Sequence, residues 1–302
     1  MGTFQRLAIA SLPLLPRPIM RAVASRYIAG ETMDEAMAEL QSLGERGFRG
    51  IIDILGEDVK DEAEAREVLL EYSECARRIA ERELESYVSV KPTHLGLRLS
   101  EELAVELYLE LGRHCKAVGI FLRVEMEDHS TTDATLRIFE RLRSELDNVG
   151  LVLQARLFRT AKDIENLAPG PLSVRMTKGI YLEPGEIAHV EPEPIRNSYV
   201  ELVRQLFERD AYVSLATHDE PMGEALIALV NELEIPKTQY EFQVLLGVQS
   251  QLWDKWRDAG HPVRVYVPYG PDWRAYSTRR LRKNPQIFGH VFRDMLCFWR
   301  RR

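Results

Sequence analysis

From Phe48 onward the sequence alternates short apolar runs, rich in β-formers, with longer amphipathic stretches, and this rhythm limits the fold more than any other feature. The β-rich runs fall at residues 49–55, 87–91, 120–125, 149–155, 172–178, 211–217, 239–245 and 263–268. Helical patterns lie between them, for example at 61–84, 101–118, 132–146, 197–208 and 221–233, with acidic or capping residues near their starts. Eight successive βα units predict an α/β fold of the (β/α)8 TIM-like barrel type, and 302 residues with 45% hydrophobic content suffice for it. A doubly wound open sheet would call for a Gly-rich phosphate turn after its first strand. Here that strand leads into Leu55-Gly56-Glu57-Asp58 instead. Residues 1–47 show no strand pattern and are expected to form an N-terminal helical extension, 32–43 among them, ahead of a barrel with a C-terminal helix at 48–302.

The remaining bulk properties exclude several classes. A formal net charge of -7 provides no basic face for nucleic acid. The three cysteines, Cys75, Cys115 and Cys297, are odd in number and lack CxxC spacing, so neither a disulfide framework nor a zinc site is indicated, and reduced thiols in a cytoplasm are expected. An apolar run from Leu7 to Leu15 follows Arg6, and Ala22-Val23-Ala24 has the look of a cleavage site. Pro13, Pro16 and Pro18 interrupt that region, which favours a packed helical segment over a signal peptide. No stretch reaches the ~18 apolar residues needed to span a bilayer.

In a barrel the active site lies at the C-terminal strand ends, and polar residues gather there in this chain. They are Asp53 and Glu57, Lys91, Glu125 with Glu127 and Asp128, Gln154, Arg175 with Lys178, Thr217-His218-Asp219, Glu241 with Gln243, and Tyr266 with Tyr269. Taken singly each is ordinarily a solvated edge or an ion pair; together they describe a polar pocket. Past the last strand, Arg279 and Arg280 form two forked donors able to grip a carboxylate, although a basic helix face is the plainer meaning of such a pair. His218 has no partners at metal-ligand spacing, so no metal is proposed. The run from Glu125 to Asp128 is expected to stabilise a helix start rather than to hold a cation.

These segments taken in order are Val90-Lys91-Pro92-Thr93-His94-Leu95-Gly96, Arg123-Val124-Glu125-Met126-Glu127-Asp128, Leu153-Gln154-Ala155, Arg175-Met176-Thr177-Lys178-Gly179-Ile180-Tyr181, Ala216-Thr217-His218-Asp219, Glu241-Phe242-Gln243 and Tyr276 with Arg279-Arg280. Their order and spacing resemble the proline dehydrogenase family, in its compact bacterial form, from about Arg26 to the last helix. The resemblance implies noncovalent FAD and oxidation of L-proline to 1-pyrroline-5-carboxylate. It places Met126, Gln154, Lys178, Gly179, Ile180, Thr217 and His218 at the flavin nucleotide and Arg175 near the flavin N5, with Glu125 and Arg175 as the catalytic pair. It gives Lys91, Arg279 and Arg280 the substrate carboxylate, gives Tyr181, Leu245, Tyr266 and Tyr276 the ring pocket, and makes Glu57 a gate. The physical requirement agrees with this picture. Hydride leaves a carbon beside a neutral amine for an acceptor that no side chain supplies, so a cofactor is needed and the protein must orient.

The chain departs from the family pattern in the pocket. Glu125 replaces an aspartate, Ile180 replaces an alanine and is expected to add bulk, Leu246 replaces a tyrosine, and Lys283 replaces a glutamate beside the Arg pair. A relative acting on another amino, imino or hydrazino acid is therefore an alternative to proline. A non-catalytic binding barrel is a lesser one, opposed by the retention of cations that a dead pocket would have no reason to leave unpaired. A quinone or other acceptor would take the electrons. The basic aromatic tail at 291–302 is compatible with peripheral contact at the inner membrane, a helix covering the barrel being the plainer reading. Nothing in the sequence sets an oligomeric state.

Overall fold

A computed structural model describes residues 26–273. The apolar run at 7–15, the residues Tyr276, Arg279, Arg280 and Lys283, and the tail at 291–302 lie outside the described residues.

Eight parallel strands close into a barrel in sequence order. They are β1 Arg49–Ile54, β2 Ser86–Val90, β3 Leu122–Val124, β4 Val149–Gln154, β5 Ser173–Thr177, β6 Tyr212–Ala216, β7 Tyr240–Leu245 and β8 Val263–Tyr269. Closure comes from β1 lying along β8, with Arg49 opposite Arg264 and Ile54 opposite Tyr269. Each predicted run contains one strand, offset by a residue or two. Among the described residues, one helix, α1 (Met33–Glu45), precedes the barrel and packs on β1 and β8. The outer ring is α2 Glu62–Glu81, α3 Glu101–Ala117, α4 Thr132–Arg143, α5 Thr160–Asn166, α6 Pro192–Glu208, α7 Glu220–Glu232 and α8 Ser250–Asp258.

Local chemistry accounts for the helix boundaries. Thr32 and Glu35 form a reciprocal capping box at α1, and Asp61, Ser100 and Asp219 each accept a backbone N–H at the start of α2, α3 and α7. Along α2 the buried residues Ala65, Val68, Leu69, Tyr72, Cys75, Ala76 and Ile79 repeat at helical spacing and face the sheet. Each large side chain so buried contributes roughly 1.5–3 kcal/mol. Helix α6 begins at Pro192, five residues before the periodicity predicts, because proline suits a first helical turn whatever the apolar pattern. Helices α5 and α8 are short, seven and nine residues, and too brief to show a convincing period.

Three helical tyrosines fix the strand ends that carry the polar residues. The Tyr72 hydroxyl receives Ile54 N–H at 3.0 Å and donates to the Ser89 carbonyl at 3.2 Å. Tyr108 donates to the Val90 carbonyl at 2.6 Å, and Tyr199 to the Met176 carbonyl at 2.7 Å. These bonds satisfy buried carbonyls and hold the mouth of the barrel against its outer ring. Among the described residues, no helix is long and apolar enough to cross a membrane.

Candidate active site

Side chains from non-adjacent strands meet across the barrel, which shows that they point inward. Arg175 on β5 reaches Tyr87 and Ser89 on β2, and Gln243 on β7 reaches Tyr87 as well. Inward positions recur with period two, as in Tyr87-Ser89-Lys91, Arg123-Glu125, Ser173-Arg175 and Glu241-Gln243, and they are polar. A barrel interior is ordinarily filled by branched apolar residues, so this one is built for chemistry or for binding.

At its upper end Arg175, only 4% exposed, is held on every side. Its Nη1 pairs with Glu125 Oε1 at 2.5 Å, Nε donates to Gln243 Oε1 at 2.6 Å, and Nη2 donates to Ser89 Oγ at 3.2 Å. Its guanidinium lies 5.2 Å from the Tyr266 ring centre. Glu125 Oε1 also accepts from Ser89 Oγ and, at 3.1 Å, from Tyr266 Oη. These described bonds all end on Oε1, which leaves Oε2 to accept from a ligand. Burial opposes the charge on Glu125, but Arg175, Ser89 and Lys91 outweigh it and hold the carboxyl below its ordinary value. The pair is thus an ionised carboxylate and a fixed cation at the mouth.

Lys91 lies beside this pair and is itself engaged. Its Nζ donates to both oxygens of Asp53, at 2.8 and 3.0 Å. Burial pushes the Asp53 carboxyl up while the Lys91 ammonium pulls against it. Lys178 pairs with Asp219, as does Arg196. The sequence argument that rested on unpaired cations therefore needs correcting: Lys91, Arg175 and Lys178 all have carboxylate partners. The acidic run is corrected too, because it does not serve one helix start. Glu125 binds Arg175, Glu127 accepts from Thr93 N and Oγ at 3.0 and 2.8 Å, and Asp128 caps the turn at Ser130.

The other candidates divide between the mouth and the wall. Gln154 is buried, and its Nε2 donates to the Glu127 carbonyl at 2.6 Å. Its Oε1 has no partner among the described residues. Against it lies Gly179, at φ 91°, where an added Cβ would stand 2.7 Å from Gln154 Oε1 and 2.9 Å from Arg156 Cγ. His218 accepts Leu245 N–H at Nε2 over 3.1 Å, which puts the ring proton of a neutral imidazole on Nδ1. Thr217 is buried and its Oγ1 accepts from Asp219 N. Met126 is packed in the core, while Glu57, Tyr181 and Leu245 are half-buried around the mouth. Ile180 is 57% exposed, and Leu246 belongs to the core rather than to the mouth.

Sequence reasoning overlooked Tyr87, Ser89, Arg123 and Arg264 because attention stayed at the strand ends. The signal was present as polar residues two apart on strands that should read as unbroken apolar runs.

The sequence matches the proline dehydrogenase family over residues 36–291. It is 33% identical over 276 residues to proline dehydrogenase 1 of Bacillus subtilis subsp. natto, covering 91% of each chain. It is also 33% identical over 287 residues to the proline dehydrogenase of Deinococcus radiodurans, covering 93% of each. Among solved structures, proline utilization A of Bdellovibrio bacteriovorus, inactivated by N-propargylglycine, superposes with a TM-score of 0.81 at 25% identity, over 87% of this chain and 32% of that one. With an eight-stranded barrel and the family match spanning all its strands, the chain belongs to the proline dehydrogenase family.

Proposed function

We propose that this chain is an FAD-dependent dehydrogenase that oxidises L-proline to 1-pyrroline-5-carboxylate. The observation that carries the reading is the buried Glu125–Arg175 pair at the mouth, with no bond to the second carboxylate oxygen among the described residues. Family membership supplies the prior for proline and flavin. The residues present also fit a flavin nucleotide. Gln154 offers a buried acceptor without a donor among the described residues, and Gly179 brings backbone beside it. Lys178, Thr217, His218, Ile180 and Met126 line the neighbouring strand ends. When bound, FAD supplies the hydride acceptor.

The chain's own residues provide orientation and charge. Arg175 presents a fixed cation where negative charge accumulates during hydride transfer, and needs little reorganisation because four neighbours already hold it. Glu125 Oε2 accepts an N–H of the substrate amine. Loss of hydride from the adjacent carbon to the cofactor, and of the nitrogen proton to solvent, would then leave a C=N bond. Lys91, with Arg279 and Arg280, takes the substrate carboxylate, Tyr181, Leu245, Tyr266 and Tyr276 bound the ring pocket, and Glu57 acts as the gate.

Anaerobic mixing with L-proline is expected to bleach a yellow protein, and acid precipitation to release FAD into the supernatant. A flavin that stays oxidised with proline but bleaches with another amino, imino or hydrazino acid would overturn the substrate assignment. Arg279→Met or Arg280→Met should raise KM with flavin content unchanged, because a truncated charge-assisted contact costs roughly 1.5–3 kcal/mol, or about 10- to 150-fold. Gly179→Ala should lower flavin retention at least about tenfold in dialysis, from left-handed strain together with overlap at Gln154. Full flavin content in that variant would show that the Gly179 backbone is not part of the cofactor site.

A further inference from the structure

Among the described residues, the side chains that point into the barrel from the Glu125–Arg175 pair downward, with Lys91 and Asp53 beside that pair, carry more positive than negative charges. Lys91, Arg123, Arg175 and Arg264 face the carboxylates of Asp53, Glu125 and Glu241. Three cations have a carboxylate partner each. Arg123, 1% exposed, has none among the described residues: it donates to the carbonyls of Leu151 and Ser173 and to the hydroxyls of Ser173 and Ser214. Its guanidinium lies 4.8 Å from the Phe121 ring centre and 5.6 Å from that of Tyr87. A buried arginine keeps its proton, so the compensating charge must come from a neighbour.

Tyr87 is that neighbour. Because an arginine can only donate, Gln243 Oε1 must face Arg175 Nε, and the amide orientation follows. Gln243 Nε2 therefore donates to the Tyr87 oxygen at 2.8 Å, and Arg175 Nη2 donates to it at 3.5 Å. Arg264 lies 4.6 Å from the ring centre. Among the described residues, the Tyr87 hydroxyl bonds only to donors, and nothing accepts its own proton.

We propose that Tyr87 is a buried phenolate, the fourth anion of the barrel interior, and a positioning residue that holds Arg175 from below. On folding, the phenol proton passes to solvent, and the resulting charge balances Arg123. Burial raises this phenol, but Arg123, Arg175 and Arg264 outweigh burial and Glu241, so it lies below its ordinary value. The equally buried Tyr72, Tyr108 and Tyr199 are pushed up instead. The difference follows from their surroundings, since only Tyr87 is ringed by guanidinium groups. The phenolate is a matter of charge and does not depend on the substrate. The effect on Arg175 rests on the function proposed above.

The test is carbon-13 NMR of the purified holoprotein labelled at tyrosine Cζ. Of the eleven tyrosines, one resonance is expected at the phenolate position at neutral pH, with the rest at the phenol position. Tyr87→Phe should delete that resonance. Arg123→Met should return it to the phenol position, and this variant decides the assignment if Tyr87→Phe does not fold. Tyr87→Phe should also lower kcat for proline about tenfold with KM little changed. Eleven phenol resonances at neutral pH, or a phenolate signal that survives both substitutions, would overturn the inference. A wild-type protein inert toward proline but showing the phenolate would sink the proposed function and leave the phenolate standing.

Discussion

Arg175→Met is expected to lower the rate of proline-dependent flavin bleaching by roughly 10²–10³, the usual consequence of removing a preorganised charge from an active site. The substitution has a second effect. Arg175 is 4% exposed and supplies the charge opposite Glu125, so its loss leaves a buried carboxylate with the Ser89 and Tyr266 hydroxyls and the more distant Lys91 ammonium, which is already paired with Asp53. Breaking such a pair from one side costs about 3–5 kcal/mol, which chemical denaturation reads directly. The double change Glu125→Gln with Arg175→Met separates the two effects. It should regain most of the stability, because no unpaired charge remains, and none of the turnover. A single variant within threefold of wild-type bleaching would remove Arg175 from the machinery.

Lys91→Met is expected to have a comparable effect on stability, with a distinctive pH dependence. Asp53, 1% exposed, would lose the ammonium that contacts both its oxygens. Leaving that carboxylate buried and unpaired again costs about 3–5 kcal/mol at neutral pH. The group can escape by taking up a proton. Burial already pushes the Asp53 carboxyl above 3.8, and without Lys91 it rises further. A carboxyl whose folded value exceeds its unfolded one binds more protons in the folded state, so stability falls as pH rises from the ordinary aspartate range toward the folded value. The variant should therefore approach wild-type stability near about pH 4 and diverge from it toward pH 7. Asp53→Asn added to Lys91→Met should flatten that slope. An Lys91→Met stability curve parallel to wild type across this range would mean that Asp53 finds another partner.

The strand and helix rhythm was legible because it depends on local patterning. Each predicted run holds its strand, and the capping residues Asp61, Ser100 and Asp219 stand where the helices begin. Part of the site was legible as well. Polar residues at the ends of apolar runs have no business in a simple barrel core, and Lys91, Glu125, Gln154, Arg175 and His218 all stood out for that reason. Their partners did not, since nothing in a one-dimensional sequence joins Lys91 to Asp53 or Lys178 to Asp219 and Arg196.

The fold class, the number and order of the strands, and the strand ends that carry ionisable groups were all readable along the chain, because periodicity and capping act over a few residues. Tertiary structure alone decided which charges are paired and which polar groups are left over. Arg175 meets Glu125, Gln243 and Ser89 only when β5 faces β3, β7 and β2 across a closed barrel. Arg123 on β3 lies two residues from Glu125, just past the strand end, yet its guanidinium turns to carbonyls and hydroxyls of other strands and to the face of Tyr87. Charge balance in a low-dielectric interior is settled over distances of a few ångströms in space, and the chain separations that create those distances here run from two residues to more than a hundred.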